Sequence, residues 1–232
     1  MLFRSVSSHD LQEPLRKLQI LAGRILEKEN QNLSEKGKQY FHLMRKAAEQ
    51  MQMLIQDLLA FSRISAADRK FENTDLNKII EEVKNGFKDV MAEKNATIEV
   101  KEIGDVPIIP FQFRQLMHNL ISNALKFSNP EIPPHIKIES HTIKYSKLNI
   151  ANLPLHKEYC HISITDNGIG FEKEFSEKIF DVFQRLHGKD EYEGTGIGLA
   201  IVKKIVDNHD GIITATGKLN EGATFNIYIP TS

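Results

Sequence analysis

The sequence predicts two folded units of different class: an all-α helical hairpin, forming a four-helix bundle as a dimer, and then an α+β sandwich. Three observations carry this reading. Apolar residues alternate three and four apart through the N-terminal part, and this pattern stops at the small, polar stretch Ser65-Ala66-Ala67-Asp68-Arg69-Lys70. Beyond that stretch, helical and period-two patterns mix. The boundary is placed there, with residues 1–69 forming the helical unit and 70–232 the sandwich.

Composition sets the outer limits. Hydrophobic residues make up 41% and charged residues 26% of 232 positions, which is ordinary for folded globular units and excludes a mainly disordered chain. A net charge of -1 offers no basic excess to release counterions from a phosphate backbone, so no nucleic-acid partner is expected. No apolar run approaches the roughly 20 residues that span a bilayer, so no membrane contact by this piece and a cytoplasmic location are expected. The single cysteine, Cys160, lies between alternating apolar residues and reads as a structural thiol in a strand. Only eight residues precede His9, as though an upstream sensory or membrane region had been cut away, so the chain is expected to be a fragment.

In order, the first helix carries Leu11, Leu15, Leu18, Ala22 and Ile25. Pro14 interrupts it, lacking an N–H and crowding the carbonyl of Asp10, so a bend is expected at the turn that bears His9. A polar break at Glu29-Asn30-Gln31-Asn32 precedes Ser34, a candidate N-cap for a second helix with the seam Tyr40, Met44, Ala47, Met51, Leu54, Leu58 and Phe61. One hairpin cannot cover both stripes, which predicts a homodimer. A bundle that only dimerises would leave Pro14 and the acidic neighbour of His9 without purpose.

In the second unit, Leu76, Ile79, Ile80, Val83, Phe87 and Val90 describe one amphipathic helix, followed by a strand at Ala96 to Val100 and a helix after Pro110. A strand near Ile136 to Ile138, a polar insertion over about 144–157, and a strand at His161 to Ile164 come next. A glycine loop then opens a helix at about Gly196 to Asn208, and a hairpin ends at Thr224 to Ile229. Helices on one face of a mainly antiparallel sheet give the sandwich.

Three motifs carry chemistry. Asn119 and Asn123 lie i and i+4 on one helix face, with Lys126 about a turn further; amide oxygens suit Mg²⁺ and a lysine balances phosphate charge. Asp166-Asn167-Gly168-Ile169-Gly170 follows a strand, and its acid can accept from an exocyclic amine where glycines let a ring approach. By itself this stretch also reads as a simple turn. Gly194-Thr195-Gly196-Ile197-Gly198-Leu199-Ala200 opens a helix whose free N–H groups face an anion. Its spacing is not the G-x-G-x-x-G of a dinucleotide fold, and no Rossmann strand follows.

Together these residues resemble the catalytic core of a sensor histidine kinase of a two-component system. The pattern is a dimerisation and histidine-phosphotransfer hairpin followed by an ATP-binding domain of the gyrase, Hsp90, kinase and MutL type (the GHKL or Bergerat fold). The match runs along almost the whole chain, and Ser8-His9-Asp10-Leu11-Gln12-Glu13-Pro14-Leu15-Arg16 looks most like phytochrome-type and PAS-linked members.

The resemblance implies roles. ATP is the substrate and Mg²⁺ the cofactor, held by Asn123 directly and by Asn119; Lys126 contacts phosphate, Asp166 reads the adenine amine, and Gly168 and Gly170 shape its pocket. Phe180 and Phe183 match the family's phenylalanine box, and core packing is the plain alternative for each. Arg185 reaches toward the γ-phosphate, residues from about Phe171 to Glu193 form a lid, and Gly194, Gly196, Gly198 and Leu199 close on the phosphates. His9 takes the phosphoryl group, with Asp10 as orienter and base, and passes it to an aspartate on a response-regulator receiver domain.

Two relatives by class remain as alternatives, a nucleotide-binding scaffold and a hydrolytic ATPase of the same fold. The second needs a carboxylate where this chain has Asn119, and an amide cannot serve as that base. Glu13 stands where strong phosphatases of the family carry threonine or asparagine, and His209-Asp210-Gly211 replaces the usual His-Gly-Gly. The remaining histidines, His42, His118, His135, His141, His156, His161 and His187, show no paired metal-ligand spacing.

Overall fold

The computed structural model describes residues 8–66, 70–101, 104–144, 158–186 and 194–231, without the side chains of 8–10 and 65–66. The chain divides into two compact units, one ending at Arg63 and one starting at Ile64.

In the first unit, α1 (Ser8–Lys28) and α2 (Glu35–Ala66) flank a short turn. Pro14 sits in the second turn of α1, where its missing N–H leaves the carbonyl of Asp10 without an intrahelical donor, and the helix continues past it. Ser34 caps α2 as expected, its Oγ accepting from the N–H of Gly37 at 3.1 Å. The hairpin closes along Leu15 and Ala22 on one side and Ala48 on the other, with Gln19 donating to Gln52 across the pair at 2.9 Å. The seam of α2 read from the sequence points elsewhere. Tyr40, Met44, Met51, Leu54 and Leu58 are exposed, as are Leu11, Leu18 and Leu21 of α1.

The second unit is built on a five-stranded sheet. Its strands are β2 (Thr97–Val100), β4 (His135–Lys144), β5 (Glu158–Asp166), β7 (Gly222–Pro230) and β6 (Ile212–Lys218), in that spatial order. Only β2 and β4 run parallel. A separate antiparallel ribbon pairs β1 (Glu72–Asp75) with β3 (Asp105–Ile108). The polar sequence Glu-Asn-Thr-Asp carries no strand signal, so β1 was not anticipated.

Three helices pack against this framework: α3 (Leu76–Gly86), α5 (Pro110–Lys126) and α6 (Gly198–Asn208). Phe113, Leu116, Met117, Leu120 and Ile121 of α5 are buried, as are the strand residues Ile136, Ile138, Ile162, Ile164, Ile227 and Ile229. Alternation along the strands sends Lys137, Glu139, His141, His161 and Tyr228 to the opposite face.

The single helix expected from Leu76 to Val90 is two helices. The first ends at Gly86, where Phe87 leaves helical geometry (φ -104°, ψ 9°), and α4 (Lys88–Lys94) starts after it with no buried residue. Glycine weakens the turn, and Phe87 turns onto α5, its ring centroid 4.9 Å from that of His118.

His209 closes α6. It is almost fully buried, its Nε2 accepting from the N–H of Ile109 at 2.9 Å while Nδ1 donates to the carbonyl of Ile205 at 2.7 Å. Both ring nitrogens are thus used by one neutral tautomer, which ties the end of α6 to the start of α5. This bond involves the histidine, and the change from glycine to Asp210 is met by a left-handed φ of 51° there.

Candidate functional site

α5 supplies the first side of the site. Asn119 donates through Nδ2 to the carbonyl of Gly198 at 3.1 Å and accepts through Oδ1 from Gln115 at 3.1 Å. Both ends of that amide are committed, so Asn119 fastens α5 to the first residue of α6. One turn further, Asn123 is half-buried and its amide has no hydrogen bond among the described residues. The Lys126 ammonium lies 4.3 Å from the Phe127 ring centroid. It also lies 2.6 Å from the point where a Cβ on residue 194 would stand, so the glycine loop comes down on this lysine.

At the end of β5, Asp166 accepts two backbone hydrogen bonds on Oδ1, from Gly168 at 2.9 Å and from Ala223 in β7 at 3.2 Å. These hold Oδ1 and leave Oδ2 with no hydrogen bond among the described residues. Burial raises the Asp166 carboxyl above its ordinary value of 3.8, against the lowering effect of the two N–H groups. The loop after it is pinned on both sides. Ile169 donates to the carbonyl of Phe127 at 2.9 Å, and Asn220 donates to the carbonyl of Ile169 at 2.8 Å. Gly170 has φ 62°, and a Cβ there would run into the carbonyls of Lys218 and Gly222, so no other residue fits.

The glycine loop and the expected lid meet next. Gly196, at φ 73°, accepts through its carbonyl from the N–H of Phe183 at 2.9 Å. The two phenylalanines differ in kind. Phe180, at the end of a 3₁₀ turn (Lys178–Phe180), is buried with its ring edge-on to Phe225, 6.5 Å between centroids. Phe183 is 62% exposed and holds a φ of 67°, a region that is costly for a bulky residue. Arg185 follows two residues later and is half-buried. The rest of the expected lid, 187–193 with His187 and Glu193, lies outside the described residues, as does His156.

Gly198 and Leu199 begin α6, whose N-cap residue Ile197 offers no side-chain acceptor, so the first-turn N–H groups are not capped from within. Thr195 Oγ1 accepts from the N–H of Ile197 at 3.3 Å, which shapes the turn before it. His9 and Asp10 are placed as backbone in the first turn of α1; their side chains lie outside the described residues.

Two features escaped the sequence reading. Gln115 sits i-4 to Asn119, a helical spacing that could have identified it. His141 and His161 stand opposite each other on β4 and β5, a pairing that no local spacing reveals. Cys160 is buried, and burial pushes its thiol up to about 11, in line with a structural role.

Comparison with known proteins bears on the same regions. Residues 109–232 match the family model described as histidine kinase-, DNA gyrase B- and HSP90-like ATPase, and residues 3–67 match the His Kinase A (phospho-acceptor) domain. Cyanobacterial phytochrome A of Nostoc sp. is 36% identical over 98% of this chain and 28% of its own length. Phytochrome-like protein Cph1 of Synechocystis sp. is 33% identical over 98% of this chain and 29% of its own length. The chain therefore spans under a third of these relatives.

Among solved structures, the catalytic domain of histidine kinase ThkA is 27% identical, with a TM-score of 0.55 over 69% of this chain and 95% of its own. Full-length ShkA in complex with AMPPNP is 23% identical and shares the fold, with a TM-score of 0.66 over 97% of this chain and 44% of its own. The first family match covers more than half of the chain and falls on the unit where the amide row, the half-buried aspartate and the glycine loop converge. The chain thus belongs to the histidine kinase-, DNA gyrase B- and HSP90-like ATPase family, with a His Kinase A phospho-acceptor region ahead of it.

Proposed function

We propose that the chain is the catalytic core of a two-component sensor histidine kinase, which moves the γ-phosphoryl group of ATP to His9 and from there to an aspartate of a response regulator. One observation carries the reading: motifs far apart in sequence close around the C-terminal half of α5. Asn119 reaches Gly198, Lys126 meets Gly194, and Phe127 holds the loop that follows Asp166.

The site residues fit an adenine nucleotide. Asp166 Oδ2 is the acceptor for the exocyclic amine, fixed in direction by the two N–H groups on Oδ1. Gly168 and Gly170 keep that wall flat, while Lys126 and the uncapped first turn of α6, from Gly198 and Leu199, offset phosphate charge. Gly194 and Gly196 let the loop approach, and Phe183 and Arg185 lead toward the phosphate end. Asn123 is the amide with an oxygen to spare for Mg²⁺; Asn119 is committed to Gln115 and Gly198 and acts by holding the loop. Bound Mg²⁺ supplies charge neutralisation on the transferring phosphoryl oxygens.

His9, as neutral imidazole, forms the N–P bond as the bond from the γ-phosphorus to the bridging oxygen breaks and ADP leaves. Asp10 orients the ring and takes the proton from its other nitrogen. Water is kept from competing because Asn119 cannot deprotonate it. The relative ThkA is known in complex with the response regulator TrrA, which supports a receiver domain as the acceptor. Two copies pair through the exposed seams of α1 and α2, as the match to the His Kinase A domain supports. Among the described residues no helix is long and apolar enough to cross a membrane, and we place this piece in the cytoplasm.

Incubation with γ-labelled ATP and Mg²⁺ is the test. The expected outcome is an acid-labile, alkali-stable label on the protein that disappears in His9→Gln. Free phosphate instead of protein label would make the chain an ATPase, and neither product would make it a scaffold; each result ends the kinase reading.

A further inference from the structure

We propose that His141 and His161 form a binding site for a divalent transition metal of the zinc class, on the face of the sheet opposite Ile162 and Ile164. The two residues are directly opposed in the β4–β5 pair. His161 Nδ1 and His141 Nε2 are 3.3 Å apart, and the rings stand nearly perpendicular, with centroids 4.7 Å apart. Two Zn–N bonds of about 2.05 Å meeting at the tetrahedral angle also place their nitrogens about 3.3 Å apart. In the free protein this separation is a hydrogen bond from His141 Nε2–H to His161 Nδ1, and an ion of zinc size takes the place of that proton, which moves to His141 Nδ1 or to solvent.

The surroundings fix one of the two rings for that task. His161 Nε2 lies 2.9 Å from Asn226 Oδ1, which accepts its proton and leaves Nδ1 as the lone pair facing His141. An outer hydrogen bond that sets tautomer and direction is the usual companion of a metal-binding imidazole. Tyr228 stacks on the same ring at 4.5 Å and 8°, so its rotation is already restricted.

The nearby charges do not block the ion. Glu139, two residues before His141 on the same face, is paired with Lys101 at 3.3 Å and with Lys137, so carboxylate and ammonium groups offset each other. Among the described residues no third His, Cys, Asp or Glu completes a set, and water takes the remaining positions. Imidazole donors with open positions suit Zn²⁺, Ni²⁺ or Cu²⁺ and not Mg²⁺ or Ca²⁺. The site is thus chemically distinct from the amide site on α5.

Zinc chloride titrated into the full chain at neutral pH, followed by calorimetry and by imidazole nitrogen resonances, tests this. The expected result is one zinc per chain at this pair, with the His161 Nδ1 resonance shifting and Nε2 staying protonated. His141→Ala and His161→Gln should each abolish that binding, and Asn226→Ala should weaken it about tenfold, with circular dichroism and nucleotide affinity unchanged. Zinc binding that survives both histidine substitutions overturns the proposal. So does the absence of saturable binding, or loss in only one of the two variants.

Discussion

At the level of single residues, the recognition proposed for Asp166 is set against stability. Its folded-state carboxyl is raised by burial, so the stability linked to its proton is fully present below the ordinary value of 3.8. That increment is lost as pH rises through the folded-state value, so at neutral pH the ionised group is held at a cost. Asp166→Asn keeps an oxygen for Gly168 and Ala223 but turns a donor toward the adenine amine. Thermal unfolding of the nucleotide-free variant should show a Tm equal to or above that of the parent. Nucleotide affinity should fall by about 2–3 kcal/mol, roughly a hundredfold, by fluorescence titration. The position stood out in the sequence as an acid before two glycines at the end of a strand, and the role proposed for it came from the resemblance. Its partner Ala223 did not stand out, since it lies 57 residues away and contributes only a backbone N–H. The phenylalanines teach the same point from the other side. The resemblance singled out Phe180 and Phe183, but only the chain's path sends one into the core and leaves the other outside with a left-handed backbone.

Helices and strands were legible where one face alone is apolar. α3, α5 and α6 have buried stripes at helical spacing, and all three fall where the sequence puts them, save that Phe87 ends the first early. α2 has apolar residues on two faces. Ala48 with the half-buried Phe41, Ile55 and Leu59 turn inward, whereas the seam chosen from the sequence turns out. Periodicity reports that a stripe exists and is silent on which of two stripes meets which neighbour. The turn between the helices was clear because Ser34 has a specific task. Ser34→Ala should cost about 1 kcal/mol of hairpin stability, visible as a lower denaturant midpoint with an unchanged m-value, and Ser34→Asp should restore it. The β1–β3 ribbon stayed hidden because both strands are four residues long, β1 is polar and β3 carries Pro107, and they owe their form to each other.

For the molecule as a whole, the outward stripe of α2 is where we propose that two copies pair. Tyr40, Met44, Met51, Leu54 and Leu58 form an apolar band too long to stay in water without consequence. Met51→Glu combined with Leu58→Glu should leave a monomer by light scattering with its helical signal largely kept, and His9 labelling should fall with the loss of the pair. The last feature with wide reach is the hydrogen bond from Ala223 to Asp166, together with the contact that seats Asn220 on Ile169. In the order of synthesis, both asparagines, the lysine and the glycine loop precede β7, which brings one of the two donors that hold the Asp166 carboxylate. On the proposed reading, a chain that stops short of residue 223 should therefore bind nucleotide more weakly than one that includes β7.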